Sequence, residues 1–566
     1  MNSLVLLGIG LVVFFLAYVL YGGWLAKKWG VSKENITPAH RLNDNRDFVP
    51  TDVKVVMGHH FSSIAGAGPI TGPILAAIFG WVPVYLWILI GCTFLGGVHD
   101  FGSLVISLRH DGKSIGETIR TNISPRAKKI FNWYAWLTLT LVVAAFTDIC
   151  AQTFAFNPAA PEALTGARAG TASVLFIFLA IAFGVARNRF HASLLASTVI
   201  GVIFLGLAIA AGYFFPLIKL GVNGWRVILL LYIVCASVLP VWLLLQPRDY
   251  LCSFLLYAMI AGAFAGLLIR HPDVEMSPFI GFQVNGQFLF PFLFVTVACG
   301  AISGFHSLVS SGTTSKQLNK EVPDAKIVGY GSMLIEGVLA IIALIVVGYL
   351  SSGDQVIAGA PAQIFANGVA WFMSGFGIPE PLGQVFITLA YSAFALTSLD
   401  TATRIGRYVM QEIAADEPES PAAEKAEAAA SGAQRGGFVR KVRAFASNMY
   451  GATFLTVGLA VVLLIAGYTR IWPIFGSANQ LLAALALLAI TAHVIRSGKK
   501  SWETVVPLVF MFAVTLTAIG FIVVQNLPGQ SPDAFLPLAL VGVILFILAV
   551  MQIVEAIRVL CGKKQS

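Results

Sequence analysis

The residues of this chain most able to do chemistry are ionisable or hydroxyl-bearing side chains set inside stretches that are otherwise apolar. They are His59 and His60, the His99-Asp100 pair in GGVHDFG, Asp148, His306, Glu336 and Asp400. An ionisable group buried in an apolar segment is costly, so each is a functional candidate. An imidazole beside a carboxylate, as in His99-Asp100, is suited to carrying a proton near neutral pH; a hydrogen-bonded pair that locks two helices together is the competing reading. A second group lies in YSAFALTSLDTATR (391–404), where the hydroxyls of Thr397 and Ser398 are hard oxygen donors. With backbone carbonyls freed nearby they would cage a small cation such as sodium, unless they only bond helix to helix. The coupling ion is therefore left open between proton and sodium. His59, His60, His99 and Asp100 could instead hold a metal; adjacent histidines point to different helix faces and no HxxxH spacing occurs, which argues against this without deciding it. GxSxG, HExxH and phosphate-binding loops are absent, which argues against an enzyme, and no organic cofactor is expected.

These groups need an element that exposes backbone inside a membrane, and GHHFSSIAGAGPITGP (58–73) has that composition. Unpaired backbone at bilayer depth is tolerated only where it lines a cavity, which makes this a helix broken for binding. Pro69 suits the first turn of a helix because its missing N–H would be unpaired there in any case. Unwinding across Ala65 to Gly68 would aim the N–H groups and positive dipole end of the following half-helix at a substrate carboxylate. Ser62, Ser63, Gly66, Gly68 and Pro69 are the expected contacts. The competing reading is a GxxxG made by Gly68 and Gly72 for close helix packing.

Phe61–Gly68 is similar in order of residue types to Phe305–Gly312. The two lie on spans of opposite direction, the signature of an inverted repeat with its substrate site between the breaks. Phe305, His306 and Ser307 are then expected opposite the first break.

The surrounding chain is made for lipid. Apolar residues are 57% and charged ones only 11% of 566, with a mean hydropathy of +0.83, against about a quarter charged in soluble domains. An all-α polytopic membrane protein follows. At roughly 20 apolar residues per span, helices are predicted near 4–24, 58–80, 84–107, 131–151, 171–187, 192–215, 226–246, 250–270, 289–311, 329–351, 383–410, 449–469, 476–495, 504–525 and 535–557. With the N-terminus outside and the C-terminus cytoplasmic, nearly every Lys and Arg falls at the cytoplasmic side; Arg168, Lys219, Arg226, Arg270 and Arg470 do not. The net charge of +9 thus reflects topology, and no basic stripe suggests nucleic acid. The chain divides into an N-terminal helix and cytoplasmic loop (1–57), a first part of the core (58–410), a low-complexity cytoplasmic linker (411–447), and C-terminal helices that complete the core and add peripheral ones (448–566). The run 362–376 reads as a short helix across the outer mouth.

Five stretches, 58–73, 96–117, LPVWLLLQPRDYL (239–251), SGFHSLVSSGTTSKQL (303–318) and 391–407, resemble the carbon starvation protein A family of bacterial inner-membrane transporters. The resemblance implies a member of the amino acid, polyamine and organocation superfamily with a leucine-transporter-type inverted repeat. It further implies uptake of peptides or pyruvate when carbon is scarce, pyruvate transport being proton-linked. In sodium-coupled superfamily members a Thr-Ser pair on the eighth core helix helps bind the cation, the place held here by Thr397 and Ser398. The second broken span starts seven helices after the first rather than five, so two helices are inserted. A membrane nutrient sensor that binds without transport is the alternative function, and uptake by reconstituted protein separates the two.

Overall fold

The computed structural model describes residues 1–44, 48–159, 164–190, 193–240, 243–415, 441–465, 467–531 and 534–562. Among these, 12 helices are long and apolar enough to cross a membrane. Two bent pairs, Val53–Ile64 with Gly68–Phe79 and Lys441–Ser447 with Met449–Leu464, and the shorter apolar helix Val222–Val238 complete the predicted set. Pro361–Ser374 is the short helix expected near 362–376; its 14 residues rise about 21 Å, too little to span.

Local signals account for several helix ends. The Asp52 carboxylate accepts from the N–H of Lys54, and Ser124, ahead of Pro125, accepts from Ala127, each side chain satisfying one unpaired N–H of a first turn. The C-terminus of Val222–Val238 is closed from another helix: Arg404 donates to the carbonyls of Ala236 and Leu239, and Arg407 to that of Ser237. These guanidinium groups answer both the free carbonyls and the negative end of the helix dipole.

Burial separates core from periphery. The apolar window of Pro125–Phe154 is 94% buried, and those of Arg470–Arg496 and Glu380–Ala415 are 89% and 83% buried. Ser3–Lys28, Leu195–Phe214 and Leu536–Leu560 are only 22–33% buried and present their apolar surface outward, as lipid-facing helices do.

The two broken spans run in opposite directions. Thr51, just before the first, donates to the carbonyl of Gln317, just after the second. At the other end of the bundle Gly80 (φ +96°), which closes the first, abuts Pro278 and Phe279 ahead of the second.

Two sequence expectations change. The helix Glu380–Ala415 runs past its predicted limit, and Lys441–Ser447 is helical and bent 92° from the next helix, so only 416–440 of the linker lies outside the described residues. The pairing of Phe61–Gly68 with Phe305–Gly312 is out of register. The first segment ends a half-helix and enters its break, whereas the second follows its break and forms the half-helix Gly304–Gly312.

Candidate functional site

The first span stops at Ile64, passes through Ala65–Ala67, and restarts at Gly68 at an angle of 41°. Pro69 occupies the first turn of the new half-helix, where it displaces no hydrogen bond. The unwinding frees the Ser63 carbonyl, which accepts from the Ser398 hydroxyl at 3.2 Å. A methyl group on Gly66 would lie 2.5 Å from that same Ser398 oxygen, so the break and helix 380–415 touch backbone to side chain. Thr71 and Tyr391 join their hydroxyls at 2.8 Å and tie the second half-helix to the same partner. The Ser62 hydroxyl is buried without a hydrogen-bond partner, and that of Ser63 turns back to the His59 carbonyl.

The second span is interrupted over 298–303. Leu289–Val297 gives way to a tight turn at Ala298–Gly300, with Ala298 at φ +44°, and helix resumes at Gly304. Such a backbone angle on a residue with a side chain is strained and persists only where neighbours hold it. Helix Tyr468–Arg496 braces the chain on either side of the turn. Asn479 accepts from the Phe305 N–H at 2.9 Å and donates to the Ser303 hydroxyl at 2.9 Å, and Gln480 donates to the Phe294 carbonyl at 2.7 Å. The Cys92 thiol donates to the freed Gly300 carbonyl at 3.1 Å.

The breaks sit on one another. A methyl on Gly68 would stand 2.6 Å from Cβ of Cys299, and one on Gly72 would stand 2.3 Å from the Val297 carbonyl oxygen. The glycines therefore serve close packing as well as the break.

Beside the second break lies a wholly buried charge cluster. His99 Nδ1 is 2.7 Å from Asp100 Oδ1, His306 Nδ1 is 2.8 Å from Asp100 Oδ2, and His306 Nε2 is 3.5 Å from Glu336 Oε2. His306 is in the first turn of the half-helix Gly304–Gly312, while Asp100 and Glu336 lie on Gly97–Arg109 and Ser332–Leu350. The cluster thus ties the second half of a broken span to two other helices. His60, on the first half-helix, bonds Thr314 at 2.8 Å. Ser307 bonds within its own helix, to the Gly304 carbonyl at 2.7 Å. Among the described residues no group of three or more His, Cys, Asp and Glu side chains has metal-holding geometry.

Thr397 and Ser398 diverge. Ser398 reaches the first break, but the Thr397 hydroxyl accepts from Arg248 Nη2 at 2.7 Å and donates to the Ala393 carbonyl at 2.9 Å. Arg248 is wholly buried; it pairs with Asp400 and donates to the Tyr232 hydroxyl at 2.6 Å, while Tyr232 donates to Asp400 at 2.7 Å. A guanidinium thus stands where the sequence suggested that Thr397 would face a free cation. Next to it, Asp249 lies 3.3 Å from His59. Asp148 pairs with Arg226 at 2.6 Å.

Arg248 and Asn479 were not singled out from sequence. Arg248 follows a predicted span closely and reads as a loop cation; the adjacent Asp249 in QPRDY was its one distinguishing mark. Asn479 and Gln480 were visible as two successive amides inside an otherwise apolar run.

A membrane protein that is helical but for one two-stranded hairpin (283–288), with two oppositely directed broken spans meeting at their breaks, has the fold of the leucine-transporter class. The same fold is seen in a manganese transporter of Eremococcus coleocola, with a TM-score of 0.50 at 11% identity over 91% of this chain and 99% of that one. The sequence profile of the family described as carbon starvation protein CstA matches residues 2–360 and 355–518, and the chain belongs to that family. Its relatives include the peptide transporter CstA of Escherichia coli K12, 32% identical over 93% of this chain and 83% of the relative. The peptide transporter CstA of Bacillus subtilis 168 is 30% identical over 99% of this chain and 97% of the relative. The pyruvate/proton symporter BtsT of E. coli K12 is 30% identical over 90% and 80%. All three relatives carry the names of transporters, and the receptor alternative finds no support among them.

Proposed function

We propose that this protein is a proton-coupled secondary transporter of the bacterial inner membrane that takes up small carboxylate-bearing nutrients, peptides or pyruvate, by alternating access. The substrate enters between the breaks when they part from this close packing, with Ser62, Ser63, Gly66, Gly68 and Pro69 on one side and Phe305, His306 and Ser307 on the other. The N-terminal end of the half-helix at Gly68 supplies N–H groups and positive dipole toward the carboxylate. The names of two relatives, a peptide transporter and a pyruvate/proton symporter, support this substrate class.

One observation favours the proton: His306, in the first turn after the second break, is bonded to the buried carboxylate of Asp100. A proton gained or lost there changes the attraction between a half-helix and helix 97–109, which links protonation to movement. Sodium is disfavoured because Arg248 already places a positive charge on Thr397, and a second cation would meet it in a medium of low dielectric.

Uptake of labelled pyruvate and of a labelled dipeptide into proteoliposomes, with proton and sodium gradients imposed separately, tests this. Accumulation of one or both under an inward proton gradient, unaffected by sodium, is expected. Sodium-driven accumulation, or no uptake of either compound, would overturn it.

A further inference from the structure

We propose that Glu336 is the group that takes up and releases the coupled proton, while Asp100 stays ionised; this rests on the proton-coupled reading above. The charge count of the cluster leads there. Asp100 is flanked by two imidazoles, His99 on Oδ1 at 2.7 Å and His306 on Oδ2 at 2.8 Å, so its negative charge is hydrogen-bonded on both oxygens. Glu336 is equally buried, yet neither of its oxygens has a hydrogen-bond partner, and the nearest positive group is His306 Nε2 at 3.5 Å. Both ring nitrogens of His306 face a carboxylate, Asp100 through a hydrogen bond and Glu336 at 3.5 Å without one, surroundings that favour an imidazolium. His99 uses Nδ1 on Asp100 and has no hydrogen-bond partner at Nε2.

Two carboxylates and one imidazolium leave the buried cluster with a single negative charge. A proton added to Glu336 brings it to neutrality, and its release restores the charge. Burying an uncompensated charge costs more than burying a neutral acid, so the empty state is poised to accept one proton. Among the groups facing Glu336, those able to titrate are His306, Asp100 and the Cys92 thiol. Of the other elements packed against its helix, Ser3–Leu16, Gly68–Ala76 and Pro361–Ser374 bring no ionisable side chain, while Trp81–Ile90, Lys326–Gly331, Val53–Ile64 and Leu245–Arg270 carry some, among them Tyr85, Lys326, Tyr330, His60 and Arg270.

The position also explains how the proton is felt at the substrate site. His306 starts the half-helix after the second break. On the other side, a methyl on Gly337 would lie 2.7 Å from the Cys92 sulfur, whose thiol holds the Gly300 carbonyl in that break. Neutralising Glu336 removes its pull on His306 and loosens one of the contacts that fix the half-helix.

The test compares Glu336→Gln, Glu336→Asp and Asp100→Asn in proteoliposomes. Glu336→Gln imitates the protonated state, so exchange of internal for external labelled pyruvate or dipeptide persists. Its accumulation under a proton gradient falls to equilibration, and the pH dependence of exchange is lost. Glu336→Asp recovers accumulation at a reduced rate, whereas Asp100→Asn, which strips His306 of its counter-charge, loses exchange as well. Infrared difference spectra of the unmodified protein are expected to show a protonated carboxylic acid that disappears in Glu336→Gln. Gradient-driven accumulation by Glu336→Gln, or an acid band that survives the substitution, would sink the assignment. Should Glu336→Gln not fold, absence of any acid band in the unmodified protein across the pH range of transport would do the same. If the unmodified protein accumulates substrate with no response to the proton gradient, the proton-coupled reading fails and takes this one with it.

Discussion

Replacing Arg248 by Met tests whether a buried ion pair joins helix 245–270 to helix 380–415. The guanidinium is fully enclosed and serves Asp400, Tyr232 and Thr397 together. Its removal leaves Asp400 as an uncompensated charge in the interior, which costs about 3–5 kcal/mol. At 1.4 kcal/mol per tenfold, that is roughly two to four powers of ten in the folded-to-unfolded ratio. Removing both charges, with Arg248→Met and Asp400→Leu together, returns most of the loss, because the charge that was stranded is gone. A shortfall of about 1 kcal/mol should persist from the Tyr232 hydroxyl, which loses both of its partners. Equilibrium unfolding in mixed micelles, comparing both single variants and the double, measures the coupling directly. A cost for Arg248→Met below about 1 kcal/mol, the value of an exposed pair, would show that the guanidinium is not enclosed as described. A double variant no more stable than Arg248→Met would show that Asp400 is not its partner.

Three further outcomes follow from the geometry of the breaks. Asn479→Ala strands the Phe305 N–H and the Ser303 hydroxyl at a cost of about 1–3 kcal/mol; the thermal midpoint should fall and uptake should drop at least about tenfold if the second break loses its shape, and unchanged uptake would deny Asn479 its bracing role. Gly72→Ala drives a methyl against the Val297 carbonyl at 2.3 Å, an overpacking worth about 1–3 kcal/mol, whereas Gly23→Ala, with no heavy atom within 4 Å of the added carbon, should be silent in the same thermal assay; equal effects at both sites would mean that the spans do not cross there. Ser398→Ala removes one hydrogen bond to the Ser63 carbonyl, about 1 kcal/mol, and should slow transport several-fold with no new response to sodium.

The spans were readable because each needs a run of apolar residues that no soluble helix of this composition would carry. The first break was readable for a different reason: Gly66, Gly68 and two prolines crowd one stretch, and each disfavours continuous helix. The second was harder. Its interruption covers Ala298–Ser303, where ACGAIS has one glycine and no proline. The groups the break leaves free are met from outside, by Asn479, Gln480 and Cys92, and a segment's own sequence does not display what other helices do to it. That is also why the short match between Phe61–Gly68 and Phe305–Gly312 misled: it compares residue types without their position relative to the break. The inverted arrangement stands on the opposed directions of the spans.

The same distinction separates the ionisable candidates. Asp100 and His306 are far apart in the chain, and their types alone said only that each was costly to bury. Brought together they share one hydrogen bond, and with Glu336 they form a cluster whose charge is not balanced. Arg248 and Asp400, by contrast, balance one another and are backed by two hydroxyls. A balanced pair is suited to fixing two helices in place, while an unbalanced cluster at the start of a half-helix is suited to changing state. The two groups are thus assigned different work by their pairing, with the fixed pair on the helix that contacts the first break and the variable cluster on the one that follows the second.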